Sequence, residues 1–167
     1  MMNLIYIIPK KEQLYYRKHL VEDIKTMEYN HGIVLFPEEK WDSWYEKWIG
    51  NNNPNFYYAY FFDKDIQSYV GEIAYRKEED SNMVTLSVII EYSYRNKGYG
   101  KEALKGLINI AFKNGYKEVY DIIDKDNINS QKMFSNFGFK IVGYDEMNNV
   151  IFKITKEEFI KKYGKIK

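Results

Sequence analysis

Arg95, Lys97 and Lys101 fall within seven residues, with Gly98 and Gly100 between the last two. Three cations around two residues without a Cβ let a bulky anion reach the main chain. The flanks fit that use. A run of β-formers from Met83 to Ile90 ends before the glycines, and a helical pattern follows them. In it Ala103, Leu104, Leu107, Ile108 and Ala111 share one face. The first turn of such a helix carries N–H groups with no internal partner, and its dipole makes that end positive. A plain tight turn accounts for one glycine, not for two glycines among three cations.

Other residues that could do chemistry are carboxylates. Glu72, Glu91, Asp121 and Asp124 lie in or beside predicted strands and could take a proton from an attacking amine. The chain has no cysteine, so disulfides, thiolate metal sites and a cysteine nucleophile are excluded. His19 and His31 are far apart, and no metal site is expected. His19 falls off the apolar stripe of its helix and reads as solvated. The net charge is +1, from 25 basic and 24 acidic residues, so no nucleic-acid partner is expected. No apolar run reaches the ~18 residues of a membrane span. No signal-peptide pattern opens the chain, so a cytoplasmic location is expected.

Two kinds of phosphate-binding turn fit the glycines. Gly98-x-Gly100-x-x-Ala103 matches the dinucleotide fingerprint, but that fingerprint follows its strand at once. Here seven residues separate Ile90 from Gly98. Nor does the chain continue into a second set of alternating strands and helices. Read as Arg95-x-x-Gly98-x-Gly100, the stretch resembles the acetyl-CoA pyrophosphate loop of the GNAT superfamily of N-acetyltransferases. A second signature agrees: Asn127, Ser130, Gly138 and Phe139 stand at the spacing that family uses. The resemblance covers Met83 to Phe139.

The elements that must position these residues follow from periodicity. Asn3–Ile8 reads as a first strand ended by Pro9. Lys11–Met27 reads as one helix, with Leu14, Arg17, Val21 and Ile24 on a stripe. Pro37 opens a second helix, on which Trp41, Trp44, Tyr45 and Trp48 recur at i, i+3, i+4, i+7. That stripe reads as core, or as an aromatic wall over an acceptor pocket. Residues 51–55 read as a loop. Phe56–Phe62, Tyr69–Tyr75 and Met83–Ile90 read as an antiparallel meander, with the last turn at residues 77–82. Glu118–Ile123 follows the glycine-led helix, so a parallel pair is expected. Asn127–Phe137 is a further helix, Phe139–Tyr144 and Val150–Ile154 a hairpin, and Thr155–Tyr163 a short helix.

The resemblance implies an α/β (α+β) fold over residues 1–167 as a single domain. Its sheet is mixed and mostly antiparallel, about seven strands, with a splayed parallel pair in the middle and helices on both faces. It implies a cofactor-binding core at about 83–139 and acceptor-side elements at about 11–50. Acetyl-CoA is the implied cosubstrate. Val88 would meet the acetyl carbonyl and the developing oxyanion, and Ile89 and Ile90 would line the pantetheine. Arg95, Asn96, Lys97, Gly98, Tyr99, Gly100 and Lys101 would hold the pyrophosphate through their N–H groups. Asn127 and Ser130 would contact the cofactor, although both residue types also cap helices. Relatives carry a tyrosine acid four residues after that serine. Here Phe134 stands there, able to pack on pantetheine but with no proton to give.

Glu72 is the candidate base, expected opposite Leu86–Ser87. Tyr29 and Trp44 are the acceptor-side candidates. The implied acceptor is a small-molecule amine or a protein amino group, and the implied reaction is direct attack in a ternary complex. A homodimer is compatible with it. The alternative is a CoA-binding module that has lost the chemistry.

Overall fold

Alternation along one strand sets the architecture. A computed structural model of the chain describes residues 2–77, 79–80 and 82–167. In β4, Val84–Ile90, the side chains of Val84, Leu86, Val88 and Ile90 turn to one side of the sheet, and Ile89 turns to the other. Successive residues of a strand point to opposite faces, so this strand is covered on both. It sits in the middle of seven strands, in the order β1-β2-β3-β4-β5-β7-β6. The others are β1, Leu4–Ile7; β2, Phe56–Asp63; β3, Ser68–Lys77; β5, Glu118–Ile123; β6, Lys140–Tyr144; and β7, Val150–Thr155. Among the described residues only β4 and β5 run parallel, as the strand–helix–strand order required.

On one face lie α3, Tyr99–Lys113, α4, Ile128–Phe137, and α5, Lys156–Tyr163. The predicted apolar face of α3 is buried as a block, with Leu104, Leu107 and Ile108 fully covered. Gly115 follows α3 in a left-handed conformation, as its position after Asn114 suggested. On the opposite face lie α1, Tyr15–Glu22, and α2, Trp41–Tyr45.

The acceptor-side helices differ most from expectation. Lys11–Met27 is not one helix. A 3-10 turn at Lys11–Gln13 precedes α1, which stops at Glu22 because Asp23 turns extended and accepts from the Thr26 N–H (2.7 Å). An aspartate that caps the next turn competes with helix continuation. Ile24, expected on the buried stripe, is 75% exposed. Pro37 caps a 3-10 turn, Glu38–Lys40, ahead of α2, and a π-helical segment, Glu46–Gly50, follows it. The wider π turn shifts the aromatic stripe, so that Trp48 stacks on Trp44 (ring centroids 5.9 Å apart) and meets Phe56 edge-on (5.0 Å).

The β3–β4 register also moved. Glu72 faces Ile89, not Leu86–Ser87. The cause is length: β3 runs two residues further, through Arg76 to Lys77, and β4 starts one residue later, at Val84, so the hairpin slides by three. Glu78 and Ser81 of the expected turn lie outside the described residues. Gly71 lets β3 and β4 close up, since a Cβ there would lie 2.2 Å from the Ile89 carbonyl oxygen. Leu107→Ala should lower unfolding free energy by about 2–5 kcal/mol, the range for a fully buried leucine, measured by urea denaturation.

Candidate active site

The sheet opens between β4 and β5. These strands share a single bridge, Thr85 with Tyr120, and part beyond it. Val88, Ile89 and Ile90 therefore run along the edge of a fork. Ile89 packs toward α1 and Phe36, and Ile90 toward α3, so both side chains are used by the core and the backbone edges the gap.

At the mouth of the fork the chain makes a 3-10 turn, Tyr92–Tyr94, and enters α3 through Gly98. Asn96 and Gly98 are both left-handed (φ 60° and 92°). Among the described residues, the main-chain N–H groups from Asn96 to Lys101 donate to no other group; the next, that of Glu102, bonds the Gly98 carbonyl (3.3 Å). Six consecutive free donors at a helix start are the groups an anion would need.

Arg95 differs from the rest of the loop. Its N–H bonds the Tyr92 carbonyl, and its guanidinium donates to the carbonyls of Ile90 (3.3 Å) and Thr26 (2.5 Å). It braces the loop, and its main-chain N–H is already taken. Lys97 turns back to the Ser93 carbonyl (3.0 Å), while Lys101 lies along a groove of about 390 Å³ between α3 and α4. Tyr99 gives the loop its N–H only. Its buried hydroxyl donates to Asp63 (2.6 Å), which pushes the phenol up to about 12 and holds the Asp63 carboxyl low. Met133, with Asn129, Lys132 and Asn136, lines the groove and was missed in the sequence. Its partner Gly100 offers the only hint, since a Cβ there would touch Met133 Sδ at 3.6 Å.

Asn127 caps α4: its Oδ1 accepts from the Ser130 N–H (3.1 Å). Phe134 is 3% exposed and packs on Phe139 (4.8 Å) and Phe152 (5.6 Å), so it belongs to the core beneath the fork.

On the α1/α2 face, Glu72 is 4% exposed. One carboxylate oxygen is ion-paired with Arg17, and the other accepts from Tyr58. The Arg17 guanidinium lies over Trp44 (4.6 Å), Phe36 (5.3 Å) and Tyr58 (5.5 Å). Its buried Nε–H has no acceptor among the described residues. Burial, and then the Glu72 charge, push the Tyr58 phenol far up, so it stays a donor. This geometry revises the expectation for Glu72. To take a proton it would have to give up the ion pair and strand a buried guanidinium. Trp44 is the lid of that ion pair, whereas Tyr29 stands partly exposed in the turn after α1. Glu91 is the more open carboxylate: it accepts from Tyr16 (3.2 Å) and Ser93 (2.9 Å), with His19 Nε2 at 3.6 Å.

Asp121 is also buried, on the opposite face. It is 9% exposed among Val119, Ile123 and its cross-strand partner Phe152. Burial raises it well above the usual carboxylate range, against the one hydrogen bond it accepts, from the Ile122 N–H (2.8 Å).

A forked mixed sheet with a turn of free amides at the mouth of the fork has the chemistry to receive a phosphate-bearing ligand. The family profile described as an acetyltransferase (GNAT) domain matches residues 8–140. The chain belongs to that family of acetyltransferases. No characterised protein matches it in sequence. Solved structures share the fold. The GNAT-family acetyltransferase of Bacillus anthracis superposes with a TM-score of 0.73 at 18% identity, covering 94% of this chain and 99% of that one. An N-acetyltransferase from Staphylococcus aureus Mu50 gives 0.71 at 20% identity, covering 92% and 98%. Spermidine N-acetyltransferase from Vibrio cholerae, in complex with CoA and spermine, gives 0.74 at 14% identity, covering 94% and 98%. Among the described residues no acidic, histidine or cysteine cluster could hold a metal, and no helix is long and apolar enough to cross a membrane.

Two outcomes test these environments. Glu72→Gln, and separately Arg17→Met, should each cost about 3–5 kcal/mol in urea unfolding, while the pair Arg17→Met with Glu72→Leu should recover most of the loss. Asp121 should make stability fall as pH rises. Below the unfolded pKa of ~3.9 both states hold its proton; above it the unfolded chain releases the proton and the folded chain keeps it, up to the raised folded value. Asp121→Asn should therefore raise the Tm more at pH 7 than at pH 3.5.

Proposed function

We propose that the chain transfers an acetyl group from acetyl-CoA to an amine nitrogen, by direct attack while both are bound. The observation that carries this reading is the run of free N–H groups from Asn96 to Lys101 beside the β4–β5 fork. In this reading the amides hold the diphosphate, with the Lys101 ammonium beside them. The pantetheine follows the Ile89–Ile90 backbone into the fork. The Val88 N–H meets the acetyl carbonyl oxygen and steadies the negative charge that grows there as the amine attacks. Asn127 and Ser130 hold the start of α4, and Phe134 packs below. With no cysteine in the chain there is no thiol to carry the acetyl group between steps.

An ammonium with a pKa of ~10.4 is neutral in about one molecule in a few thousand at pH 7, so its proton must leave first. Glu91, open to water on the acceptor face, replaces Glu72 as the carboxylate suited to receive it through solvent. Glu72 keeps Arg17 and Tyr58 in place.

The acceptor side narrows the substrate. Spermidine N-acetyltransferase of Vibrio cholerae was solved with spermine bound. In this chain the rings that could receive such a cation already enclose the guanidinium of Arg17, which also neutralises Glu72. We therefore propose a monoamine or a protein amino group as acceptor.

Thiol release from acetyl-CoA, followed over a panel of amines, tests the reading. Turnover with a monoamine or an amino-terminal peptide, and at least tenfold less with spermidine, is expected. Binding of CoA with turnover of no amine would leave the binding module instead. Gly100→Ala fits the free fold, since a Cβ there meets nothing nearer than 3.6 Å. It should keep the Tm within a few degrees while weakening CoA at least tenfold by calorimetry.

A further inference from the structure

Asp121 has no task in the chemistry described so far. It is the first residue of β5 past the Thr85–Tyr120 bridge, where the fork begins. Its side chain points to the α3/α4 face, because it alternates with Val119 and Ile123, both of that core. Across the ladder it pairs with Phe152, and Phe134 of α4 lies on the same Phe152 ring. Asp121 and Phe134 thus share Phe152 as a neighbour, on the face of the sheet where the fork begins. Among the described residues it has no cation partner, and its one hydrogen bond is the one it accepts from the neighbouring Ile122 N–H. A buried carboxyl with nothing to neutralise it stays protonated, and its O–H is then a donor with no protein acceptor.

Resting on the transferase reading above, we propose that Asp121 is the acid that protonates the departing CoA sulfur. The amine nitrogen bonds to the acetyl carbon, and the resulting adduct loses its extra N–H proton to water. When the C–S bond breaks, its electron pair goes to sulfur, and the Asp121 O–H supplies the proton that makes the free thiol. Asp121 is left as a carboxylate in an apolar setting and recovers a proton from solvent as the thiol departs. One amine and one acetyl thioester give one amide and one thiol, so the balance closes without a further reactant. Phe134 contributes by keeping that spot dry, which keeps the carboxyl protonated until it is needed.

The test compares wild type with Asp121→Asn, which keeps shape and hydrogen bonding but gives no proton. With acetyl-CoA, kcat should fall about 100-fold, the low end for loss of a general acid, while CoA affinity by calorimetry stays within twofold. With the selenium analogue of acetyl-CoA, whose selenolate leaves without a proton, the same substitution should cost less than fivefold. Should the Asn chain not fold, Asp121→Ser takes its place with the same expected pattern. Unchanged kcat with acetyl-CoA overturns the assignment of Asp121 and leaves the transferase reading standing. So does an equal loss with both donors, since that marks a structural role. A wild-type chain that binds CoA but acetylates no amine overturns both.

Discussion

The central constraint is the parting of β4 from β5. A sheet gains by closing every ladder, and main-chain groups left unpaired cost free energy unless something else meets them. Here the two strands keep one bridge and separate. They can do so because each is held firmly on its other side. β4 makes seven register pairs with β3, and β5 makes six with β7. The gap is therefore a rigid slot in an otherwise continuous sheet. The amides at the start of α3 stand at the mouth of that slot, fixed by Arg95 on one side and by the Tyr99–Asp63 bond on the other.

The two faces treat charge in opposite ways. On the α1/α2 face a carboxylate is buried with its counter-ion, a tyrosine donor and three rings over the guanidinium. Desolvating two charges is repaid only by close pairing and further hydrogen bonds, and the unpaired Nε–H shows that even this set is one acceptor short. On the α3/α4 face a carboxyl is buried with no counter-ion among the described residues, and burial raises it well above the usual carboxylate range. The same residue class thus serves as a fixed anion on one side and as a neutral donor on the other.

The fold was legible in the sequence where periodicity was strong and local. The α3 stripe, the β4 run and the β6–β7 hairpin follow from spacing and turn chemistry alone. The glycine turn ahead of α3 was legible because glycines and cations cluster in sequence, although Arg95 proved to be a brace: spacing does not say which way a long side chain turns. Register was the weak point. Two residues added to β3 and one lost from the start of β4 moved Glu72 from Leu86 to Ile89, and no local signal at Arg76 or Lys77 marks where a strand stops. The partnership of Arg17 with Glu72 spans 55 residues of sequence and depends on α1 crossing β3, which no periodicity encodes. Asp121 stood in an alternating strand, but only the cover from α4 shows that its surroundings are apolar.

Thr26 joins regions that are far apart along the chain. Its carbonyl receives the Arg95 guanidinium and its hydroxyl receives the Tyr92 N–H (3.1 Å). The loop at the α3 entrance and the Tyr29-bearing turn are therefore one mechanical piece. Whatever stills the first must also still the second, so the entropy of ordering both is spent once. By reciprocity, a guest on either side strengthens the grip on the other by the same factor.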